Sequence, residues 1–266
     1  MSDLTYEEAA QKITGPGSPF ELAVENVGSI SMPVFKNRLR SLREVLEKSL
    51  EFGEAELAVW DTGERWTFTQ HERLVASIAA AMAEKHGIGP GSRVAILASN
   101  SPEWVLAAWA TIVLGGSLVA MNGWWQKDEI RYGLELADPD LLFADRARLA
   151  RLEGEEIGIE SVVFEDAFSS YRDFDREAAL PTAPIDEDDL AAIMFTSVSA
   201  RVGSASSPHW AMYCPMALVC TSRARSMRAS ITMQGAPLAQ RKAPPSLPCA
   251  AKKLWTCCSG VAVIAS

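Results

Sequence analysis

The chain has 266 residues, 48% of them hydrophobic and 22% charged, enough apolar material for one large domain or two small ones. A formal net charge of −9 argues against binding to nucleic acid or to an anionic membrane, because both need clustered positive charge. The balance is uneven along the chain: all 34 acidic residues lie between Asp3 and Asp189, whereas the residues after Ser197 hold none of them, eight Lys or Arg and all five cysteines.

Residues 1–40 read as an irregular lead-in punctuated by Gly15, Pro16, Gly17 and Pro19, with one short helix near Tyr6 to Lys12. The opening MSDLTYEEAAQKI lacks a basic region followed by an apolar one, so the expectation is a cytoplasmic protein without a secretory signal. Ser41, with Glu44 three residues on, opens a helix whose apolar face is Leu42, Val45, Leu46 and Leu50 and which Gly53 ends. LAVWD and ERWTF form a hairpin around Thr62-Gly63. Thr69 and Glu72 repeat the capping-box spacing for a helix with Leu74, Ile78 and Met82 buried, ended by Gly87.

From there the pattern alternates. Arg93 to Ala98 is an apolar run of the kind found in parallel sheets. Ser101 caps, and Pro102 opens, a helix through Trp104 and Trp109 to Leu114. The strand SLVAM, the loop Asn122-Gly123-Trp124-Trp125, a helix over Lys127 to Ala137, the strand LLFAD, a short helix over Arg146 to Glu153 and the strand SVVF follow. This is the βαβ alternation of an α/β fold with a largely parallel sheet and flanking helices. Trp104 to Met121 is long and uncharged enough to mimic a membrane span, but Gly115 and Gly116 divide it into a buried helix and a buried strand. Pro181, Pro184 and the acidic cluster Asp186 to Asp189 read as a solvated linker into LAAIMFTS, Leu190 to Ser197. The last is a buried strand whose carboxyl end delivers Thr196 and Ser197 to a turn, where open α/β sheets place ligands.

Other candidate sites are weaker. Gly87, Gly89 and Gly91 stand after a helix and before a strand, the reverse of a dinucleotide fingerprint, and read as a turn. No GxxxxGK[ST] segment occurs. His71, His86 and His209 have no partner at metal-ligand spacing, which leaves surface or capping roles. The cysteines lack CxxC pairing. No metal ligand and no catalytic residue is therefore assigned. Trp124 and Trp125 either line a pocket or pack against the following helix.

Taken together, WTFTQHERLVASIAAAM, RVAILASNSPEWVLAAWATIVLGGSLVAMNGWWQKDEIRYGLELADPDLLFAD and DLAAIMFTS resemble the first part of the adenylate-forming (AMP-binding) superfamily, specifically its acyl-CoA synthetases. The resemblance covers about residues 40–197. It implies a parent enzyme that joins a small-molecule carboxylic acid to coenzyme A with Mg-ATP, through an acyl-adenylate. It also implies that Thr196 and Ser197 begin a Ser/Thr/Gly-rich loop, ending in Pro-Lys-Gly, whose backbone N–H groups cradle the ATP phosphates.

Here the likeness stops. Val198 stands where the loop's first glycine belongs, and a β-branched residue neither adopts positive φ readily nor lets a phosphate approach the backbone. SARVGSASSPHW supplies no Gly-rich run, and residues 198–266 hold no adenine, ribose or catalytic-lysine segment of the family. The expected organisation is a lead-in over 1–40, a partial AMP-binding domain over 41–197 and a non-homologous, disordered tail over 198–266 that arises from a shifted reading frame. The chain is then inactive as a ligase. Alternative readings are an adenylation domain that loads a carrier protein, a module that pairs with a full-length relative, or an unstable fragment with an uncovered sheet edge.

Overall fold

The computed structural model describes residues 5–27 and 29–199 and the backbone of 213–221; side chains are described through Phe195. The lead-in is more ordered than its Gly and Pro content suggests. Helix α1 (Tyr6–Thr14) is closed at its start by Thr5, whose hydroxyl accepts the Glu8 N–H at 3.2 Å while the Glu8 carboxylate accepts the Thr5 N–H at 2.9 Å. Strands β1 (Leu22–Val27) and β2 (Ile30–Phe35) then pair antiparallel, from Leu22 opposite Phe35 to Val27 opposite Ile30. Pro33 masks this hairpin in the sequence. A two-stranded ribbon has an outer edge on each strand, where a residue without an N–H costs no ladder bond.

Helix α2 (Leu42–Ser49) starts at Ser41 as expected, but the Glu44 carboxylate accepts from the Arg40 N–H at 2.7 Å rather than from the cap residue. Of its expected apolar face only Leu46 is buried; Val45 and Leu50 are exposed. The short strands β3 (Glu56–Val59) and β4 (Arg65–Thr67) form the expected hairpin, with Gly63 at φ +84° in its turn. The cap of helix α3 (Phe68–His86) lies two residues before the expected one. Thr67 and Gln70 form the reciprocal box, at 3.1 and 3.0 Å, because β4 holds Thr67 extended and the chain can turn only after it.

The remaining elements are β5 (Arg93–Leu97), α4 (Pro102–Val113), β6 (Ser117–Ala120), α5 (Lys127–Ala137), β7 (Leu141–Ala144), α6 (Arg146–Leu149), β8 (Glu160–Val163), α7 (Phe164–Ala167), α8 (Ser169–Arg172), β9 (Leu190–Ser199) and β10 (Tyr213–Thr221). The sheet order is β10-β9-β6-β5-β7-β8. Five strands, β9 to β8 in that order, run parallel, and β10 lies antiparallel on β9.

Successive residues of one strand are buried on opposite faces. Val94, Ile96, Leu118, Leu141 and Phe143 pack with α3 and α4, while Ala95, Leu97, Val119, Leu142 and Ile193 pack with α5. Both faces are therefore dry, which is why these strands read as unbroken apolar runs rather than alternating ones. The segment Trp104 to Met121 is α4 followed by β6, and no described helix is long and apolar enough to cross a membrane. Helices α7 and α8 were not foreseen. Their Phe164, Phe168 and Tyr171 rings close one end of the core around Phe143, with centroids 5.7 to 5.8 Å from it.

The linker before β9 also differs from expectation. Glu187, in the middle of the acidic cluster, is not solvated: its side chain is 13% exposed and lies 3.0 Å from Arg38. Charge runs are normally solvated, but cations 147 and 149 residues away in sequence meet this one.

Candidate functional site at the carboxyl edge of the sheet

The chain moves from β5 to β6 on one side and then crosses back to β7 on the other side of β5. The point where the order reverses, outside the carboxyl ends of β5 and β7, is where open α/β sheets bind ligands. Asp145, immediately after β7, occupies it. One of its oxygens caps α6 by accepting the Arg148 N–H at 2.8 Å. The other accepts the Ser99 N–H after β5 at 2.9 Å and meets the Arg148 guanidinium at 2.5 Å. The crevice is thus tied across by the protein's own groups.

Arg148 also donates to the Gly123 carbonyl at 2.9 Å, and Arg151 to the carbonyls of Gly123 and Trp125 at 2.9 and 2.6 Å. Two arginines therefore pin the loop after β6, Arg148 from α6 and Arg151 from the turn that follows it. A Cβ at Gly123 would lie 2.8 Å from Arg148 Nε and 3.1 Å from the Ala98 carbonyl oxygen, so a larger residue there would push the arginine out of its place. The two tryptophans part company. Trp125 is 8% exposed and packs on Gly133 of α5 and edge-on to Phe195 of β9, whereas Trp124 is 78% exposed. The packing account holds for Trp125, whereas Trp124 does not pack against the helix.

Thr196 and Ser197 lie beyond the last parallel pair of β9 with β6, Ala120 opposite Met194, and so at the carboxyl edge. The strand does not turn at Ser197 but runs to Ser199, with Thr196 opposite Met216, Ser197 opposite Pro215 and Val198 opposite Cys214. Backbone groups in an extended strand alternate in direction. A phosphate cradle needs successive N–H groups turned to one side. The backbone from Thr196 to Ser199 therefore does not fit the phosphates of ATP, in keeping with Val198 at the position where the loop calls for glycine.

His71 and His86 lie elsewhere, and neither is a surface residue. His71 is 3% exposed, stacked on Trp66 and edge-on to Trp109, and burial pushes it down from 6.5 to about 4. His86 has its Nε2 2.5 Å from the Tyr171 hydroxyl and its Nδ1 2.9 Å from the Glu160 carboxylate. Sequence spacing misses both environments, because their partners come from distant elements. Gly87 and Gly91 form the expected turn, with φ at +66° and +85°. Cys214 and Cys220 fall in β10, whereas His209, Cys249, Cys257 and Cys258 lie outside the described residues.

A five-stranded parallel sheet, helices on both faces and loops gathered at one strand edge define a doubly wound α/β ligand-binding unit. The chain belongs to the AMP-binding enzyme family, which matches residues 46–199. That span agrees with the resemblance read over about residues 40–197.

Among curated relatives, it is 28% identical to the acyl-CoA ligase sidI of Aspergillus fumigatus, over 70% of this chain and 35% of that protein. It is 28% identical to tyrocidine synthase 2 of Brevibacillus parabrevis, over 59% of this chain and 4% of that one. The chain thus spans about a third of the length of the first of these relatives. Among solved structures, a Mycobacterium tuberculosis fatty acyl CoA synthetase shares the fold at a TM-score of 0.57 and 20% identity, covering 68% of this chain and 34% of that one.

Proposed function

We propose that residues 46–199 are the amino-terminal α/β portion of an acid–thiol ligase, which joins a carboxylic acid to coenzyme A at the expense of Mg-ATP. The observation that carries this reading is the family match over the doubly wound unit, with the carboxyl end of β9 passing β6 at the edge where open α/β sheets bind ligands. The chain by itself is not a working ligase, because Val198 and the extended backbone around it supply no cradle for phosphate. We further assign residues 198–266 to a shifted reading frame, on the loss of every acidic residue and the end of the family match at residue 199.

Two measurements test this. Exchange of labelled pyrophosphate into ATP should be absent with the purified chain across a panel of carboxylic acids; acid-dependent exchange overturns its inactivity. Sequencing the coding DNA across the Ser197 codon should show a Gly-rich loop ending in Pro-Lys-Gly in another frame, and its absence from all frames refutes the frame assignment. The likeness to tyrocidine synthase 2 supports a second reading, in which the acceptor thiol sits on a carrier protein. Restoring the frame and comparing coenzyme A with a carrier protein as acceptor separates the two.

A further inference from the structure

Strand β9 is reached by a long crossover, residues 164–189, and its parallel ladder with β6 rests on three pairs, Leu118 with Ala192, Val119 with Ile193 and Ala120 with Met194. So short a parallel ladder does little to set the register, which falls to side-chain burial, to the antiparallel pairing with β10 and to whatever holds the amino end of the strand. A slip of one residue would shift Thr196 and Ser197 by about 3.3 Å along the sheet and turn every side chain of β9 to the opposite face. Ile193, now 8% exposed against the α5 layer, would leave its core.

The amino end of the strand is held instead by cations from far upstream. Arg38, its side chain 7% exposed, grips Glu187 with Nε at 3.2 Å and Nη2 at 3.0 Å, and its Nη2 lies 2.6 Å from Glu25 of β1. Arg40 adds a contact to Glu187 at 3.0 Å. Arg43 donates to the carbonyls of Pro181 and Ala183 at 2.8 and 2.6 Å and to Val113 at the end of α4 at 3.2 Å. Ser117, the first residue of β6, donates to the Leu190 carbonyl at 2.7 Å. The three arginines all precede residue 46, where the family match begins, whereas Glu187 and β9 lie within it.

We propose that Arg38 and Arg40 of the lead-in and Arg43 of α2, acting on Glu187 and the Pro181 and Ala183 carbonyls, form a register lock that positions β9 and with it Thr196 and Ser197. These are positioning residues: they touch the linker, not the carboxyl edge. A forked guanidinium meeting a carboxylate from two nitrogens fixes direction as well as distance, which a register lock requires. Because Arg38 and Glu187 are largely shielded from water, salt screens the pair less than it would an exposed one. The functional weight of the lock rests on the reading of β9 as the ligand-edge strand.

Amide hydrogen exchange on the full chain tests the lock. Glu187→Gln should speed exchange of the β9 amides from Ala191 to Phe195 at least tenfold while the amides of β5 and β7 keep their protection. Glu187→Asp, which retains the charge, should recover part of that protection. Combining Glu187→Gln with Arg38→Gln should cost less than the two effects multiplied, as coupled partners do. Equal acceleration in all five strands, or none in β9, overturns the lock. Should Glu187→Gln fail to fold, Arg40→Gln removes one half-exposed arm and carries the same comparison. The exchange pattern stands or falls independently of ligase chemistry, so failure of the frame-restored chain to bind ATP would sink the functional reading and leave the lock intact.

Discussion

His71 lies flat against Trp66, their ring centroids 5.8 Å apart with 28° between planes, and its Nε2 has no hydrogen-bond partner in the core. Burial without a charge partner favours the neutral imidazole and lowers its pKa to about 4. The unfolded chain, with an ordinary histidine near 6.5, binds a proton that the folded chain refuses. Stability from this site is thus complete above pH 6.5 and declines as pH falls towards 4, by about 1.4 kcal/mol per unit within that window. Urea midpoints at pH 7 and pH 4.5 should show that loss in the native chain, and His71→Leu should reduce the difference. A variant that keeps the full pH dependence would place its origin elsewhere.

Gly133 of α5 faces the Trp125 ring so closely that an added Cβ would sit 2.6 Å from its Cζ3 and 3.2 Å from the Met121 Cε. Two effects oppose each other in Gly133→Ala. Helix propensity favours alanine by about 1 kcal/mol, whereas overpacking a filled site costs about 1–3 kcal/mol. The contact is with a rigid buried ring, so overpacking should win and the variant should be less stable in chemical denaturation. A gain in stability would mean that Trp125 can move aside.

The cap of α3 separates sequence spacing from structure. Thr67→Ala removes the hydroxyl that accepts the Gln70 N–H and should cost about 1 kcal/mol. Thr69→Ala, one of the pair that spacing favours, should change stability by no more than about 0.5 kcal/mol. Comparable losses from the two variants would restore Thr69 as the cap.

Asp145 joins the ends of β5 and β7 and holds Arg148, which in turn holds the Gly123 carbonyl. Asp145→Ala strands a half-buried guanidinium and an N–H, and should cost about 3 kcal/mol. It should also free the loop that displays Trp124. Faster proteolysis or amide exchange over residues 122–126 would report that release, and an unchanged loop would show that Arg151 suffices to pin it.

Local grammar explains what was legible in the sequence. Ser101-Pro102 starts α4, Gly87 ends α3, and the doubly buried runs RVAIL, SLVA and LLFA announce parallel strands, because each signal lies within a few residues of its effect. The β1–β2 hairpin was hidden by Pro33, and the α3 cap moved because two capping-box spacings overlap within six residues, Thr67 to Glu72, and only the geometry of β4 selects between them. The candidate site was half legible. Sequence placed Thr196 and Ser197 at the end of an apolar strand, but not the continuation of that strand to Ser199.

The sequence by itself determined the α/β class, the order of the parallel strands along the chain and the family, and it showed that composition changes after Ser197. Those properties are written in local periodicity and in motifs that need no partner. The tertiary structure alone decided that Glu187 is clamped rather than solvated, that His71 and His86 are held inside rather than on the surface, and that Arg148 and Arg151 pin the Trp124 loop. Each of these rests on a charge or ring brought from a distant element, and no local pattern encodes the burial that makes such a meeting matter.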